Sequence, residues 1–150
     1  MKNDEIRSVA ERYRLSAVYL FGSQSEKGHE FLKREDTKPD AFSDLDVAIA
    51  FETHPVDVID AYGILFKEIS EIFDPFTIDL IFMHEVNPLL QYEIIKGVRI
   101  FAKDEFSADE FEERIMKKAE DLSFKKKIFD KDIMEAIENG YFEFEYSPNP

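Results

Sequence analysis

Three aspartates and one Gly-Ser pair are the residues of this chain whose types and spacing could do chemistry. Asp44 and Asp46 lie two apart, Asp79 stands alone in an apolar run, and Gly22-Ser23 ends the segment Val18-Tyr19-Leu20-Phe21. In an extended strand alternate residues share a face, so Asp44 and Asp46 project together while Leu45, Val47 and Ile49 fill the other side. Neighbouring carboxylates repel unless a cation sits between them, and hard oxygen donors suit Mg²⁺. A lone acid such as Asp79, flanked by Ile78, Leu80, Ile81 and Phe82, is costly unless it is paired or bound. Level with the other two on a neighbouring strand, it would complete a cluster able to hold two divalent ions roughly 3.5–4 Å apart. Gly22 permits a sharp turn, the N–H groups beyond it can face a phosphate, and Ser23 can donate its hydroxyl and N–H to a β- or γ-phosphate. In this scheme Asp44 and Asp46 are metal ligands shared with a nucleotide. Asp79 completes the second metal position or takes the proton of the attacking group.

Each piece also has an ordinary reading. Gly-Ser pairs are common strand-end turns, and an Asp-x-Asp can be a solvated strand entry. Lys27, Lys33 and Arg34 lie in a charged stretch and read as solvated surface before they read as phosphate contacts. His29, His54 and His84 lack metal-ligand spacing and read as loop residues. The combination argues for function, because strands disfavour Asp and the run around Asp79 reads as a central strand.

The supporting elements follow from periodicity. Residues 4–13 place Ile6, Val9, Ala10 and Tyr13 at helical spacing, with acids early and Arg12 late. Strands are expected at 16–21, 44–51, 76–83 and, at an edge, 98–102. Residues 24–42 are polar, contain Gly28 and Pro39, and read as a loop with at most one helical turn after Ser23. Between 56 and 73 the residues Ile59, Tyr62, Phe66, Ile69 and Phe73 alternate three and four steps, which predicts a helix with that stripe in the core. A short helix over 88–96 stops at Gly97. Beyond it, Ser107 and Glu110 suggest a capping box before one helix, and a second is expected over 130–138 after Lys125-Lys126-Lys127, ending at Gly140. The aromatic tail, Phe142, Phe144 and Tyr146 alternating with Glu143 and Glu145, reads as a strand or an extended segment, packed on its own domain.

Composition narrows the classes further. At 150 residues, with 44% hydrophobic and 14% aromatic content, the chain can build one proper core. A formal charge of -14 opposes stable attachment to nucleic acid or to an anionic membrane surface. Without cysteine there is no disulfide scaffold and no thiolate metal site. The N-terminus is too charged for a secretory segment, and no apolar run approaches the roughly 20 residues of a membrane span, so a soluble cytoplasmic protein is expected.

Gly22-Ser23, Asp44-Leu45-Asp46 and Asp79 together resemble the signature of the minimal nucleotidyltransferases of the DNA-polymerase-β-like superfamily: a Gly-Ser turn, a spacer, an Asp-x-Asp strand and a third Asp on a later strand. The resemblance covers roughly residues 9–101. It implies an α/β (α+β) fold with a mixed sheet of about four strands flanked by helices, the core spanning 1–105 and a C-terminal helical appendage spanning 106–150. All three acids are present, which implies an active member. Two departures stand out: twenty residues separate Ser23 from Asp44, an insertion relative to the family, and Lys27-Gly28 stands where an Arg-Gly pair is usual slightly earlier. Lys27 is the candidate for that phosphate contact.

Small members of the family resemble the antitoxin halves of toxin-antitoxin pairs whose partner is a helical HEPN-domain toxin. The resemblance implies Mg²⁺-dependent transfer of AMP from ATP to a tyrosine hydroxyl of that partner. The competing expectations are a stoichiometric antitoxin that blocks its toxin without chemistry, and a nucleotidyltransferase acting on a small molecule of aminoglycoside type.

Overall fold

The computed structural model describes residues 2–40 and 43–140. Its elements run α1 (Lys2–Arg12), β1 (Leu15–Phe21), α2 (Ser25–Lys33), β2 (Leu45–Phe51), α3 (Val58–Phe73), β3 (Ile78–Phe82), a 3₁₀ turn at Met83–Glu85, α4 (Pro88–Ile95), β4 (Val98–Ala102) and α5 (Glu105–Glu138). The four strands form one mixed sheet in the order β3-β2-β1-β4. β1 is antiparallel to both β2 and β4, whereas β2 and β3 run parallel, with α3 as the crossover that a parallel pair requires. A mixed sheet of four strands flanked by helices, followed by a C-terminal helical extension, is the α/β architecture expected from the sequence.

Both faces of the sheet are covered, which explains why its strands are nearly continuous apolar runs. On one face Val18, Leu20, Leu45, Val47, Ile49, Ile78, Leu80 and Phe82 pack with Ile6, Val9 and Ala10 of α1, Phe31 and Leu32 of α2, and Leu65, Ile69, Ile72 and Phe73 of α3. On the other, Ala17, Tyr19, Ala48 and Ala50 meet Met83, Ile94 of α4 and Ile115 of α5. Small alanines on this second face let the two helices approach closely. An ion pair between Arg12 and Glu68, 2.7 Å, ties α1 to α3.

Several sequence expectations are corrected. β3 is an edge strand, not a central one, because among the described residues it pairs with β2 alone. Its apolar character comes from lying under α3, so burial by helices, not by strands on both sides, wrote the pattern. Residues 25–33 form a helix where a loop was expected. Gly28 reads as a breaker, yet it is there for closeness: a Cβ would lie 2.6 Å from Leu45 Cδ1 and 3.1 Å from Leu20 Cδ1. The buried residues of α2, Gly28, Phe31 and Leu32, are too few to reveal a period in the sequence.

In α3 the buried face is Leu65, Ile69, Ile72 and Phe73, so only part of the expected stripe is core. Ile59 is 87% exposed, and Tyr62 and Phe66 stack on each other at the margin, 5.9 Å between ring centroids. The expected helical pair after residue 107 is one helix of 34 residues, since lysines continue a helix readily. Its N-cap is Asp104, whose carboxylate accepts from the Ser107 N–H at 3.1 Å, so Ser107 occupies the third helical position rather than the cap. Gly140, at φ +73°, lies just past the helix end as expected. The expectation for the aromatic tail falls outside the described residues. No described helix is long and apolar enough to cross a membrane.

Candidate active site

The site forms where β1 ends and β2 and β3 begin. Gly22 follows Phe21 at φ +76°, a left-handed backbone that L side chains rarely adopt. The turn it makes presses on β2: a Cβ at Gly22 would stand 2.2 Å from Oδ2 of Asp46. Only a residue without a side chain lets the backbone come this near the carboxylate. Ser23 follows in the exposed turn, and the Ser25 N–H donates to the Gly22 carbonyl at 3.3 Å as α2 starts. The N-terminus of α2 therefore opens beside the turn, with its positive dipole end at the site.

Asp46 is the middle of the arrangement. Its register partner on β1 is Phe21 and on β3 is Asp79, so two carboxylates from adjacent parallel strands stand level on the same face. The register is locked at the strand entry, where the Leu45 N–H donates to the Thr77 carbonyl at 2.8 Å. Asp46 is half-buried, and its pKa is raised by that burial, then by the negative charges of Asp79 and Asp44. Asp44 and Asp79 are exposed. No basic side chain forms an ion pair with any of the three among the described residues. Nor do any three His, Asp or Glu side chains close into a ready-made metal cage there. What the sheet provides is proximity and uncompensated charge.

Of the sequence candidates, Gly22, Asp46 and Asp79 are brought together directly, Asp44 near enough for its charge to act on Asp46, and Ser23 next to Gly22. Lys27 is not brought to the carboxylates. It lies on α2 with its ammonium paired to Asp40. His54 and His84 stack at 4.1 Å beyond the opposite end of β2 from Asp44, and His29 lies on α2, so none joins the site.

Gln24 escaped the sequence reading. It is fully buried, and among the described residues it is the one buried polar or charged side chain. Its Oε1 accepts from the Asp40 N–H at 2.7 Å, and its Nε2 donates to the Ser43 carbonyl. A glutamine within a polar stretch carries no signal of burial, so only the structure could find it.

A second carboxylate cluster occupies the same sheet face one column away. Arg99, the register partner of Tyr19, meets Glu105 at 2.6 Å, Asp109 at 3.0 Å and Glu112, while the Tyr19 hydroxyl donates to Glu112 at 2.9 Å. Burial, then the contact with Glu112, raises the Tyr19 pKa. Although burial works against it, Arg99 is held charged by hydrogen bonds to Asp109 and Glu112. This cluster fastens the first turns of α5 to β4 and β1.

Comparisons with known proteins agree with the geometry. No curated protein matches the sequence. Among solved structures, a toxin-antitoxin with AMP-PNP matches at TM-score 0.64 and 18% identity, covering 89% of this chain and 99% of that one. The toxin-antitoxin MntA-HepT matches at TM-score 0.60 and 16% identity, covering 89% and 97%. A tri-AMPylated Shewanella oneidensis HEPN toxin in complex with MNT antitoxin matches at TM-score 0.61 and 17% identity, covering 89% and 96%. At such identities these likenesses establish the shared fold. The family model described as Polymerase beta, Nucleotidyltransferase matches residues 4–106, two thirds of the sequence and all of the elements that build the site, and the chain belongs to that nucleotidyltransferase family.

Proposed function

We propose that this protein is a Mg²⁺-dependent adenylyltransferase that moves AMP from ATP to a hydroxyl, a tyrosine in the first instance, of a HEPN toxin partner, and so acts as its antitoxin. The observation that carries this reading is the pairing of Asp46 with Asp79 across β2 and β3 beside the Gly22 turn. Residues 1–105 form its catalytic core and 106–150 an extension of it.

The donor set fits a hard divalent cation. The Asp46 pKa is raised by burial and by two like charges, a strain that a cation relieves and that no basic side chain in ion-pair reach relieves among the described residues. Asp44 and Asp46 would hold the metal, and Asp79 would complete a second position or accept a proton. Bound there, Mg²⁺ supplies charge neutralisation for the triphosphate and a lower pKa for the acceptor hydroxyl.

The remaining work falls to the chain. Gly22 and Ser23 present N–H groups and a hydroxyl to the β- or γ-phosphate, with the start of α2 behind them. The acceptor oxygen attacks the α-phosphorus, the bond to the bridging oxygen of the β-phosphate breaks, and pyrophosphate leaves with the electron pair. The acceptor proton passes to Asp79 in the version where that residue is the base. Lys27 reaches a phosphate only by exchanging Asp40 for it. Support for the partner comes from the solved relatives, one a tri-AMPylated HEPN toxin held by an MNT antitoxin and another a toxin-antitoxin with AMP-PNP.

The test is incubation of the protein with ATP, Mg²⁺ and a HEPN toxin, followed by mass spectrometry of the toxin. Added AMP on a tyrosine, lost in Asp44→Asn and Asp46→Asn proteins that stay folded, is the expected result. Full neutralisation of the toxin by those two variants would instead establish a binder without chemistry.

A further inference from the structure

We infer that Gln24 is a positioning residue that sets where Asp44 stands relative to the phosphate-facing turn. The inference rests on the nucleotidyltransferase reading above and adds a residue to it. Gln24 directly follows Gly22-Ser23, and its side chain crosses to the segment that delivers the carboxylates, accepting from the Asp40 N–H and donating to the carbonyl of Ser43, the residue before Asp44. One carboxamide thus joins the phosphate side of the site to its metal side.

The chemistry of the two partners leaves little choice of side chain. Asp40 offers a donor and Ser43 an acceptor, so the buried group must be both acceptor and donor at one length. Glutamate keeps the first bond and loses the second, and methionine loses both while retaining the volume. Gln24 has no exposed surface, so its own carboxamide has no water in place of either partner.

Position makes the clamp matter for function. Twenty residues lie between Ser23 and Asp44, and a long connection fixes its ends poorly unless something ties them. Leu45 is locked to Thr77 on the β3 side, and Gln24 supplies the matching tie on the β1 side, so Asp44 is held from both directions. The exposed pair of Lys27 and Asp40 lies on the same connection and adds little on its own. A supporting hydrogen bond behind a metal-ligating group typically governs affinity by about 10–100-fold.

The test compares wild type with Gln24→Met and Gln24→Glu in three measurements: melting temperature, exchange of the Asp40 amide followed by NMR, and binding of a fluorescent non-hydrolysable ATP analogue as Mg²⁺ is titrated. For Gln24→Met the expected result is faster Asp40 exchange and a rise of about tenfold in the Mg²⁺ needed for half-maximal binding. For Gln24→Glu the Asp40 amide stays protected while the Mg²⁺ requirement still rises, although the added negative charge by itself would lower it. Should Gln24→Met fail to fold, Gln24→Leu, which also removes both bonds and adds no charge, decides in its place. An unchanged Mg²⁺ requirement in folded Gln24→Met or Gln24→Leu overturns the positioning role and leaves the nucleotidyltransferase reading standing. Absence of any Mg²⁺-dependent binding in wild type overturns both.

Discussion

Two groups of three carboxylates share one face of the sheet and are treated oppositely. Glu105, Asp109 and Glu112 converge on Arg99, with Tyr19 donating a further hydrogen bond, so that they share one positive charge and hold α5 in place. Asp44, Asp46 and Asp79 stand near one another with no such cation among the described residues, and the most buried of them is pushed toward its protonated form. The same chemistry on one sheet face yields a fastener in one place and an unmet demand in the other. The contrast teaches that the carboxylate count is uninformative until the counter-charge is known. In an acidic protein of net charge -14, one group has been given its arginine and the other has not.

The largest effect is expected from Asp46→Asn, which should lower AMP transfer by about a thousandfold. Without Mg²⁺ its melting temperature should equal or exceed that of wild type, because a like-charge contact is removed. Calorimetry beside a mass-spectrometric transfer assay checks both, and a marked fall in melting temperature would make this cluster a fastener too. Arg99→Met is the mirror experiment. It strands Glu112 on a partly buried surface and should cost about 1–2 kcal/mol in denaturant unfolding, while transfer per folded molecule stays unchanged.

Gly22→Ala comes next. The left-handed backbone alone should cost about 1–2 kcal/mol, and the new methyl group must displace the Asp46 carboxylate, so transfer falls with stability. An intact transfer rate in this variant would detach the turn from the site. The smallest effect concerns pH. Because the folded pKa of Asp46 is raised, the folded state binds more protons than the unfolded chain between the ordinary carboxylate value and the raised one. The contribution of Asp46 to stability is therefore fullest below the ordinary value and falls as pH rises through the raised one. Thermal melts across that window should show wild type losing ground to Asp46→Asn as pH rises, and saturating Mg²⁺ should abolish the difference.

Much of this was legible in the sequence because it was written in backbone terms. Alternation put Asp46 on the face opposite Leu45 and Val47, and the left-handed turn at Gly22 needed the one residue type found there. The order of the sheet was not legible: an apolar run around Asp79 records burial by helices as well as by strands, and the edge position of β3 follows only from pairing. α2 was hidden because Gly28 signals flexibility in a sequence and close packing in a structure. Arg99 and Gln24 were hidden for a shared reason. Their roles depend on partners 6–19 residues away in the chain, and neither belongs to a local pattern.

α5 has a consequence for how the molecule comes apart. Its buried residues are Ala108, Ile115 and Ala119, and nothing from Glu120 to its end at Glu138 is buried. A helical stretch of that length with no fully buried residue is marginal in water, so its turns hold largely by propensity and by continuity with the anchored part. Unfolding should thus begin as fraying from the C-terminal end of α5 toward Ala119, graded rather than all at once. The sheet and its carboxylates melt later as a unit, and a probe placed on the distal turns reports a different transition from one placed beside Asp46.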